Sequence, residues 1–144
     1  MRCSEEARRL LKELEGYVAE PYQDVAGRWT IGYGTRISDP DRDYSREEIE
    51  ALFEEAVQRA EKAVGQLVKV PLKQHQFDAL VLFVYNIGED AFAHSSMLRF
   101  VNQGDFRKAA REFLRWVYAD QKVLAGLLER RYRERLVFEY GMYV

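Results

Sequence analysis

Three side chains in the first part of the chain have the types and spacing needed for acid–base chemistry. Glu15 comes nine residues before Asp24, and Thr30 follows six residues after Asp24. A carboxyl group that can donate a proton, a second carboxylate and a hydroxyl are the groups needed to protonate a leaving group and hold a water. Taken singly, each has an ordinary interpretation, because Asp is common in turns and Thr is common in strands.

Glu15 lies at the end of a predicted amphipathic helix. Ser4 is a suitable N-cap, apolar residues recur behind it at helical spacing, and Gly16 is suited to end the helix. A carboxyl group in the last turn lies at the negative end of the helix dipole, and partial burial would act in the same direction. Both effects favour the protonated form that a general acid needs near neutral pH.

Residues 17–35 carry the other two groups on short predicted strands. Pro and Gly exclude a helix here, while aromatic and β-branched residues favour strands. Asp24–Gly27 predicts a hairpin turn, with Gly27 at a positive φ. Gly32-Tyr33-Gly34 is no nucleotide loop, because it lacks the third glycine and a βαβ unit. Close packing beside a substrate groove is the preferred interpretation, and simple turn geometry is the alternative.

The rest of the chain is predicted to be mostly helical. Ser45–Glu48 forms a capping box, and the helix behind it should run to about residue 68, which is roughly 36 Å. Leu72–Ile87 is almost wholly apolar in its second half, so we expect a buried central helix. Three more helices are predicted after it, at 96–102, 106–117 and 124–140.

Composition limits the classes of function. An apolar fraction of 47% and a charged fraction of 32% suit a globular protein, and a formal charge of −2 argues against nucleic-acid binding. No stretch reaches the roughly 18 apolar residues that membrane insertion requires. Cys3 is the only cysteine, so no internal disulfide is possible and a reducing compartment is expected. His75 and His94 are too isolated to indicate a metal site.

The block from Glu15-Gly16 through Asp24 to Thr30-Ile-Gly-Tyr-Gly34 resembles the signature of phage-type lysozymes. This is glycoside hydrolase family 24, which includes the T-even phage lysozymes and many endolysins. Residues 71–88 resemble the central helix of the family, and residues 95–116 and 126–134 resemble its C-terminal part. The resemblance covers essentially the whole chain in the same order.

The resemblance implies a lysozyme-like α+β fold, mostly helical, with residues 1–144 as a single domain. A small lobe with a β-sheet would span about residues 16–50. A connector helix at about 45–68 would join it to a larger helical lobe. That lobe would comprise about residues 70–144 together with the N-terminal helix at 4–15.

The resemblance also implies hydrolysis of the β-1,4 bond between N-acetylmuramic acid and N-acetylglucosamine in peptidoglycan. Transferred by position, Glu15 would be the general acid, Asp24 would hold or activate a water, and Thr30 would position it. Inversion at the anomeric carbon is expected, with no metal and no cofactor. Tyr85 and Ser95 are candidate substrate contacts, although burial of Tyr85 and a helix-capping role for Ser95 are the alternatives.

Two further features of the sequence bear on the surroundings of these residues. Thr35 stands where the family often has His, so a structural pair made by that His is absent here. The Arg-rich run 130–135 is predicted to form a solvated face. In the alternative, one of its arginines pairs with Glu15 and tunes its pKa.

The expected setting is a monomeric phage or prophage endolysin that acts on peptidoglycan glycan strands. It would accumulate in the host bacterial cytoplasm until a holin opens the membrane. A lysozyme domain of a phage tail is a close alternative. From another class, a non-catalytic peptidoglycan-binding module with the same fold is the main rival, and chitin as the substrate or lytic transglycosylase chemistry are further alternatives.

Overall fold

The computed structural model describes residues 1–119 and 121–144 and has the predicted α+β, mostly helical architecture. The helices are α1 (Glu5–Glu15), α2 (Arg46–Leu67), α3 (Gln74–Ile87), α4 (Glu89–Ala93), α5 (Ser96–Asn102), α6 (Phe106–Glu112) and α7 (Ala125–Tyr140), with a 3-10 turn at Phe113–Arg115. The strands are β1 (Val18–Gln23), β2 (Trp29–Gly32), β3 (Thr35–Arg36), β4 (Tyr118–Ala119) and β5 (Lys122–Val123).

The first two helices begin and end at the residues that the sequence indicates. The Ser4 hydroxyl accepts a hydrogen bond from the Ala7 amide at the start of α1, and Gly16 follows its last residue with a φ of +72°. At α2 the Ser45 amide donates to the Glu48 carboxylate and the Glu48 amide donates to the Ser45 hydroxyl, both at 3.1 Å. The predicted capping box is therefore confirmed.

The N-terminal sheet is antiparallel, with its three strands in the order β1-β2-β3. The predicted turn joins β1 to β2: the Gly27 amide donates to the Asp24 carbonyl at 2.9 Å, and Gly27 has a φ of +78°. β2 packs directly on α2, because a side chain at Gly32 would collide with Ile49. The sheet, which is too small to be stable alone, is thus supported by a helix.

Helix α3 forms the centre of the core, as predicted. Every residue from Phe77 to Val84 is buried, and the helix packs against α1, α2 and α7. The Phe83 ring meets three other aromatic rings edge to face, with centroid distances of 5.2 to 6.4 Å, those of Phe92, Phe113 and Trp116. α3 begins at Gln74 rather than Leu72, because the Gln76 side chain caps the Lys73 amide at 2.8 Å.

Helix α2 contacts both the N-terminal sheet and the helices α3 and α4. The division of the chain into two lobes at this helix stays a prediction. The one-turn helix α4 and the paired strands β4 and β5 were not predicted. The helix predicted at 106–117 ends at Glu112, where the 3-10 turn follows. None of the helices in the described ranges is both long enough and apolar enough to cross a membrane.

Candidate active site

Glu15 is the last residue of α1, and its side chain is only 14% exposed. Its Oε2 accepts a hydrogen bond of 2.6 Å from Nη1 of Arg130 on α7. The alternative in which one arginine of the run 130–135 pairs with Glu15 is therefore the one found. The carboxyl group and the guanidinium thus form a largely buried ion pair.

Arg130 is held by two further acceptors behind Glu15. Its Nε donates to Oε2 of Glu134 and its Nη2 donates to the Leu82 carbonyl, both at 3.0 Å. Glu134 is fully buried and also accepts from Nη1 of Arg131 at 2.9 Å. Burial disfavours the charge of Arg130, but the attraction of Glu134 and Glu15 outweighs it and raises the pKa of the guanidinium. Arg130 is thus a fixed cation rather than a mobile surface side chain.

Gly34 lies against the other oxygen of Glu15. A Cβ atom at this position would be 2.5 Å from Glu15 Oε1, and Gly34 has a φ of +74°. Glycine is therefore required twice, for the left-handed backbone and for the close approach of the carboxylate. The carboxyl group of Glu15 thus lies between Arg130 and Gly34, with its Oε2 bonded to Arg130 and its Oε1 beside Gly34.

Asp24 follows β1 at the start of the hairpin turn. Its Oδ1 accepts from the amides of Ala26 and Arg28, each at 2.9 Å, and its Oδ2 accepts from Arg28 Nε at 3.3 Å. The amide of Arg28 is the main cause that lowers the pKa of Asp24 below its usual value of 3.8, although slight desolvation opposes it. Asp24 is therefore a carboxylate at neutral pH.

Thr30 is buried in β2 and is connected to Asp24 through Arg28. Its hydroxyl donates to the Arg28 carbonyl at 2.9 Å, which leaves its oxygen free to accept. Across the sheet Thr30 pairs with Tyr22 of β1. Burial, then the negative charges of Glu15 and Asp24, raise the pKa of Tyr22. The charges of both carboxylates thus act on the hydroxyl of Tyr22, the residue that pairs with Thr30.

Glu15 and Gly34 each line a cavity. One, of about 620 Å³, is lined by Glu15 and Arg130 together with Asn86 and the first turn of α7. The other, of about 360 Å³, lies between β3, α2 and α3, and Gly34 is one of its lining residues. In the described parts of the chain no group of three or more potential metal ligands occurs.

Tyr85 and Ser95, the two candidate substrate contacts, lie in different settings. Tyr85 lines the smaller cavity and is partly buried, while its hydroxyl donates to the Tyr33 carbonyl at 2.6 Å. Thr35, in the position of the family His, has its hydroxyl 3.5 Å from that of Tyr85. Ser95 caps α5: its hydroxyl accepts from the Leu98 amide at 3.1 Å and donates to the Phe92 carbonyl.

Three of these participants, Tyr22, Arg28 and Glu134, were not singled out from the sequence. Tyr22 could have been found, because it precedes Asp24 by two residues and strand side chains repeat on one face with that period. The spacing of four between Arg130 and Glu134 indicates a helical ion pair, but nothing local connects either to Glu15. Arg28 carries no signal, since its role depends on the shape of the turn.

Comparisons with known proteins show which family the chain resembles. The family model described as phage lysozyme matches residues 12–134. The chain is 41% identical over 145 residues to the endolysin of Bacillus phage B103, an alignment that covers 98% of this chain and 55% of that protein. It is also 38% identical to the endolysin of Acyrthosiphon pisum secondary endosymbiont phage 1, with 96% of this chain and 99% of that protein covered.

A solved structure shows the same fold. The muramidase domain of SpmX from Asticaccaulis excentricus superposes with a TM-score of 0.87 at 36% identity, and the match covers 96% of this chain and 97% of that one. The predicted lysozyme-like fold is therefore confirmed. This chain belongs to the phage lysozyme family.

Proposed function

We propose that this chain is a muramidase that hydrolyses the β-1,4 bond between N-acetylmuramic acid and N-acetylglucosamine in peptidoglycan. The observation that carries the proposal is the position of Glu15. Arg130 holds one oxygen of its carboxyl group at 2.6 Å and Gly34 lies against the other. Glu15 lines one cavity and Gly34 lines a second. Membership of the phage lysozyme family supports the same reaction.

Glu15 is the general acid in the proposed mechanism. In its protonated form it gives a proton to the glycosidic oxygen as the bond from that oxygen to the anomeric carbon breaks. A water attacks the anomeric carbon from the opposite face and loses its own proton to the Asp24 carboxylate. In an inverting enzyme the two carboxyl groups stand about 6.5–9.5 Å apart to leave room for this water. Inversion is taken from the family resemblance.

Asp24 and Thr30 are proposed to hold that water. The Asp24 carboxylate is ionised and can accept one of its protons. The Thr30 hydroxyl already donates to the Arg28 carbonyl, so its oxygen is left to accept from the water. Hydrogen bonds from the turn fix the Asp24 side chain, and burial fixes the Thr30 side chain. Preorganised groups of this kind lower the cost of placing the water.

The substrate contacts and the biological setting are part of the same proposal. The ring of Tyr85, which lines the smaller cavity, is a proposed sugar contact. Ser95, whose hydroxyl caps α5, is the second proposed contact. The chain spans about half the length of the endolysin of Bacillus phage B103. We propose that it acts as a monomeric endolysin on peptidoglycan glycan strands, and that it waits in the host cytoplasm until a holin gives it access to the wall.

Replacement of Glu15 by Gln tests the reaction. The wild type should release muropeptides from purified peptidoglycan, and Glu15→Gln should release almost none, because the amide cannot supply the proton. Glu6→Gln is a matched control, since Glu6 is an exposed carboxylate on the same helix and should tolerate the change. Equal release by wild type and Glu15→Gln would refute the assignment.

Mass spectrometry of the products separates the rival functions. Reducing muramic acid ends are expected from a hydrolase, whereas anhydro ends would indicate a lytic transglycosylase. Binding to peptidoglycan without release would indicate the non-catalytic module. Faster release from chitin than from peptidoglycan would change the substrate.

A further inference from the structure

The hydroxyl of Tyr85 connects helix α3 to the connection between β2 and β3. Tyr85 lies in the last turn of α3, and its hydroxyl donates to the backbone carbonyl of Tyr33 at 2.6 Å, across 52 residues of sequence. The ring packs against Phe53 of α2 at a centroid distance of 6.0 Å. Helix α3 and the contact with α2 therefore fix the Tyr85 ring, and its hydroxyl binds the connection between β2 and β3.

The carbonyl that it holds belongs to the peptide unit between Tyr33 and Gly34. This unit is planar, so fixing its oxygen also fixes the amide and the Cα of Gly34. Glu15 lies against this Cα in the connection between β2 and β3, since an added Cβ would be 2.5 Å from Glu15 Oε1. The Tyr85 hydroxyl is therefore bonded directly to the peptide unit that contacts Glu15.

Only Tyr33 and Gly34 lie between the paired strands β2 and β3. Gly32 ends β2 opposite Val18 of β1, and Ile31 pairs with Thr35 of β3. The glycines on either side of Tyr33 both have positive φ, +66° at Gly32 and +74° at Gly34. Glycine permits many backbone conformations, so such a segment needs an outside partner to select one.

The side chain of Tyr33 is anchored separately. Its hydroxyl donates to Glu50 at 3.2 Å, and its ring packs against Phe53 at 5.0 Å. These contacts fix the ring, but rotation of the adjacent peptide plane is limited by the bond from Tyr85. Burial is the main cause that raises the pKa of Tyr85 to about 12, so the hydroxyl keeps its proton and stays a donor at neutral pH.

We propose that Tyr85 is a positioning residue, whose hydroxyl holds the Tyr33–Gly34 peptide unit as the wall that sets the position of the Glu15 carboxyl group. The role rests on the proposed function, in which Glu15 is the general acid. This positioning role belongs to the hydroxyl alone, because the ring of Tyr85 lines the smaller cavity whether or not the hydroxyl is present.

Tyr85→Phe removes the hydroxyl and keeps the ring. We expect kcat on peptidoglycan fragments to fall about ten-fold, since displacement of a reacting group by a fraction of 1 Å has effects of this order. KM should stay within a factor of about two, because the ring that faces the cavity is unchanged. A fall in kcat with an unchanged KM is the signature of an interaction that acts on the transition state.

Tyr143→Phe is the matched control. The Tyr143 hydroxyl also donates at 2.6 Å, to Asp78, and its side chain is likewise partly buried. If loss of a hydrogen bond acted only through general stability, both variants would show a lower midpoint of urea unfolding and similar kcat at low temperature. The proposal requires that kcat falls in Tyr85→Phe alone.

The remaining outcomes are equally decisive. A higher KM with unchanged kcat would make the hydroxyl a substrate contact and overturn the proposal, as would unchanged values of both. If the wild type releases nothing from peptidoglycan, the proposed function fails. The positioning role is then decided by the ¹³C resonance of the Glu15 carboxyl group, which should move in Tyr85→Phe and not in Tyr143→Phe. An unmoved resonance in both would overturn it.

Discussion

Gly34→Ala is the substitution that tests the geometry of the proposed acid most directly. The Ala methyl group would lie 2.5 Å from Glu15 Oε1, well inside the 3.4 Å at which ordinary contact begins. The atom it meets is the end of a side chain and not backbone. We therefore expect the carboxyl group to move and the fold to persist.

The required displacement gives the size of the effect. The oxygen must retreat by about 0.9 Å, the difference between 2.5 and 3.4 Å. Its retreat is resisted by Arg130, which is held by Glu134 and the Leu82 carbonyl. Misplacement of about 1 Å can cost on the order of a hundred-fold in rate, so we expect kcat to fall about 30- to 100-fold. This corresponds to roughly 2–3 kcal/mol in the activation barrier.

Gly104→Ala is an unusually close control for the backbone. Gly104 has a φ of +75°, against +74° for Gly34, but a Cβ atom there has no neighbour within 4 Å. Both substitutions force a non-glycine residue into the left-handed region, at about 1–2 kcal/mol in the free energy of unfolding. Urea unfolding measures that common loss, and initial rates of peptidoglycan solubilisation measure the activity. Only Gly34→Ala should lose activity.

Two results would refute this reasoning. If Gly34→Ala kept the kcat of Gly104→Ala, the wall at Gly34 would have no influence on Glu15. If Gly34→Ala were destabilised by several kcal/mol more than Gly104→Ala, the backbone between β2 and β3 would have moved instead of the Glu15 side chain.

Three further predictions concern stability and pH. Asp78→Ala should lower the free energy of unfolding by about 3 kcal/mol with little change in kcat. Asp78 is fully buried and accepts hydrogen bonds from the side chains of Ser4, Gln74 and Tyr143. A loss below about 1 kcal/mol in urea unfolding would contradict this prediction. Gln121→Gly should stabilise the chain by about 0.5–1 kcal/mol by the same measurement, because Gln121 has a φ of +65°; a destabilised variant would count against strain there. The pKa of Asp24 is lowered, so its charge is present above that pKa and lost only as the pH falls through it, and the acid limb of kcat that Asp24 causes should lie below pH 3.8. An acid limb above that pH that disappears in Asp24→Asn would be inconsistent with the hydrogen bonds of the turn.

The fold was predictable where short-range signals determine it. The N-cap Ser4 and the terminating Gly16 delimit α1, and the capping box at Ser45 starts α2. The apolar run that becomes α3 indicates its burial as well as its type. In each case the interacting groups lie within four residues of one another or repeat with the helical period, so the sequence contains the whole cause.

Shorter elements were not predictable for the same reason. Helix α4 has five residues, and β4 and β5 have two residues each. Segments of this length contain too few residues for a period of 3.6 or of 2 to appear. They exist because the chain around them is held by the core, as the Phe92 ring of α4 is by Phe83.

The sequence by itself determined the identities of the candidate acid, the second carboxylate and the hydroxyl, and it placed Glu15 at a helix end. It also determined that an arginine from the run 130–135 was available. Only the tertiary structure decided that Arg130 is the partner, 115 residues away, because the packing of α7 on α3 selects which side chain turns inward. It likewise decided that Tyr85 holds the peptide unit before Gly34. Helical periodicity relates residues within one element, whereas a contact between elements depends on how the whole core packs.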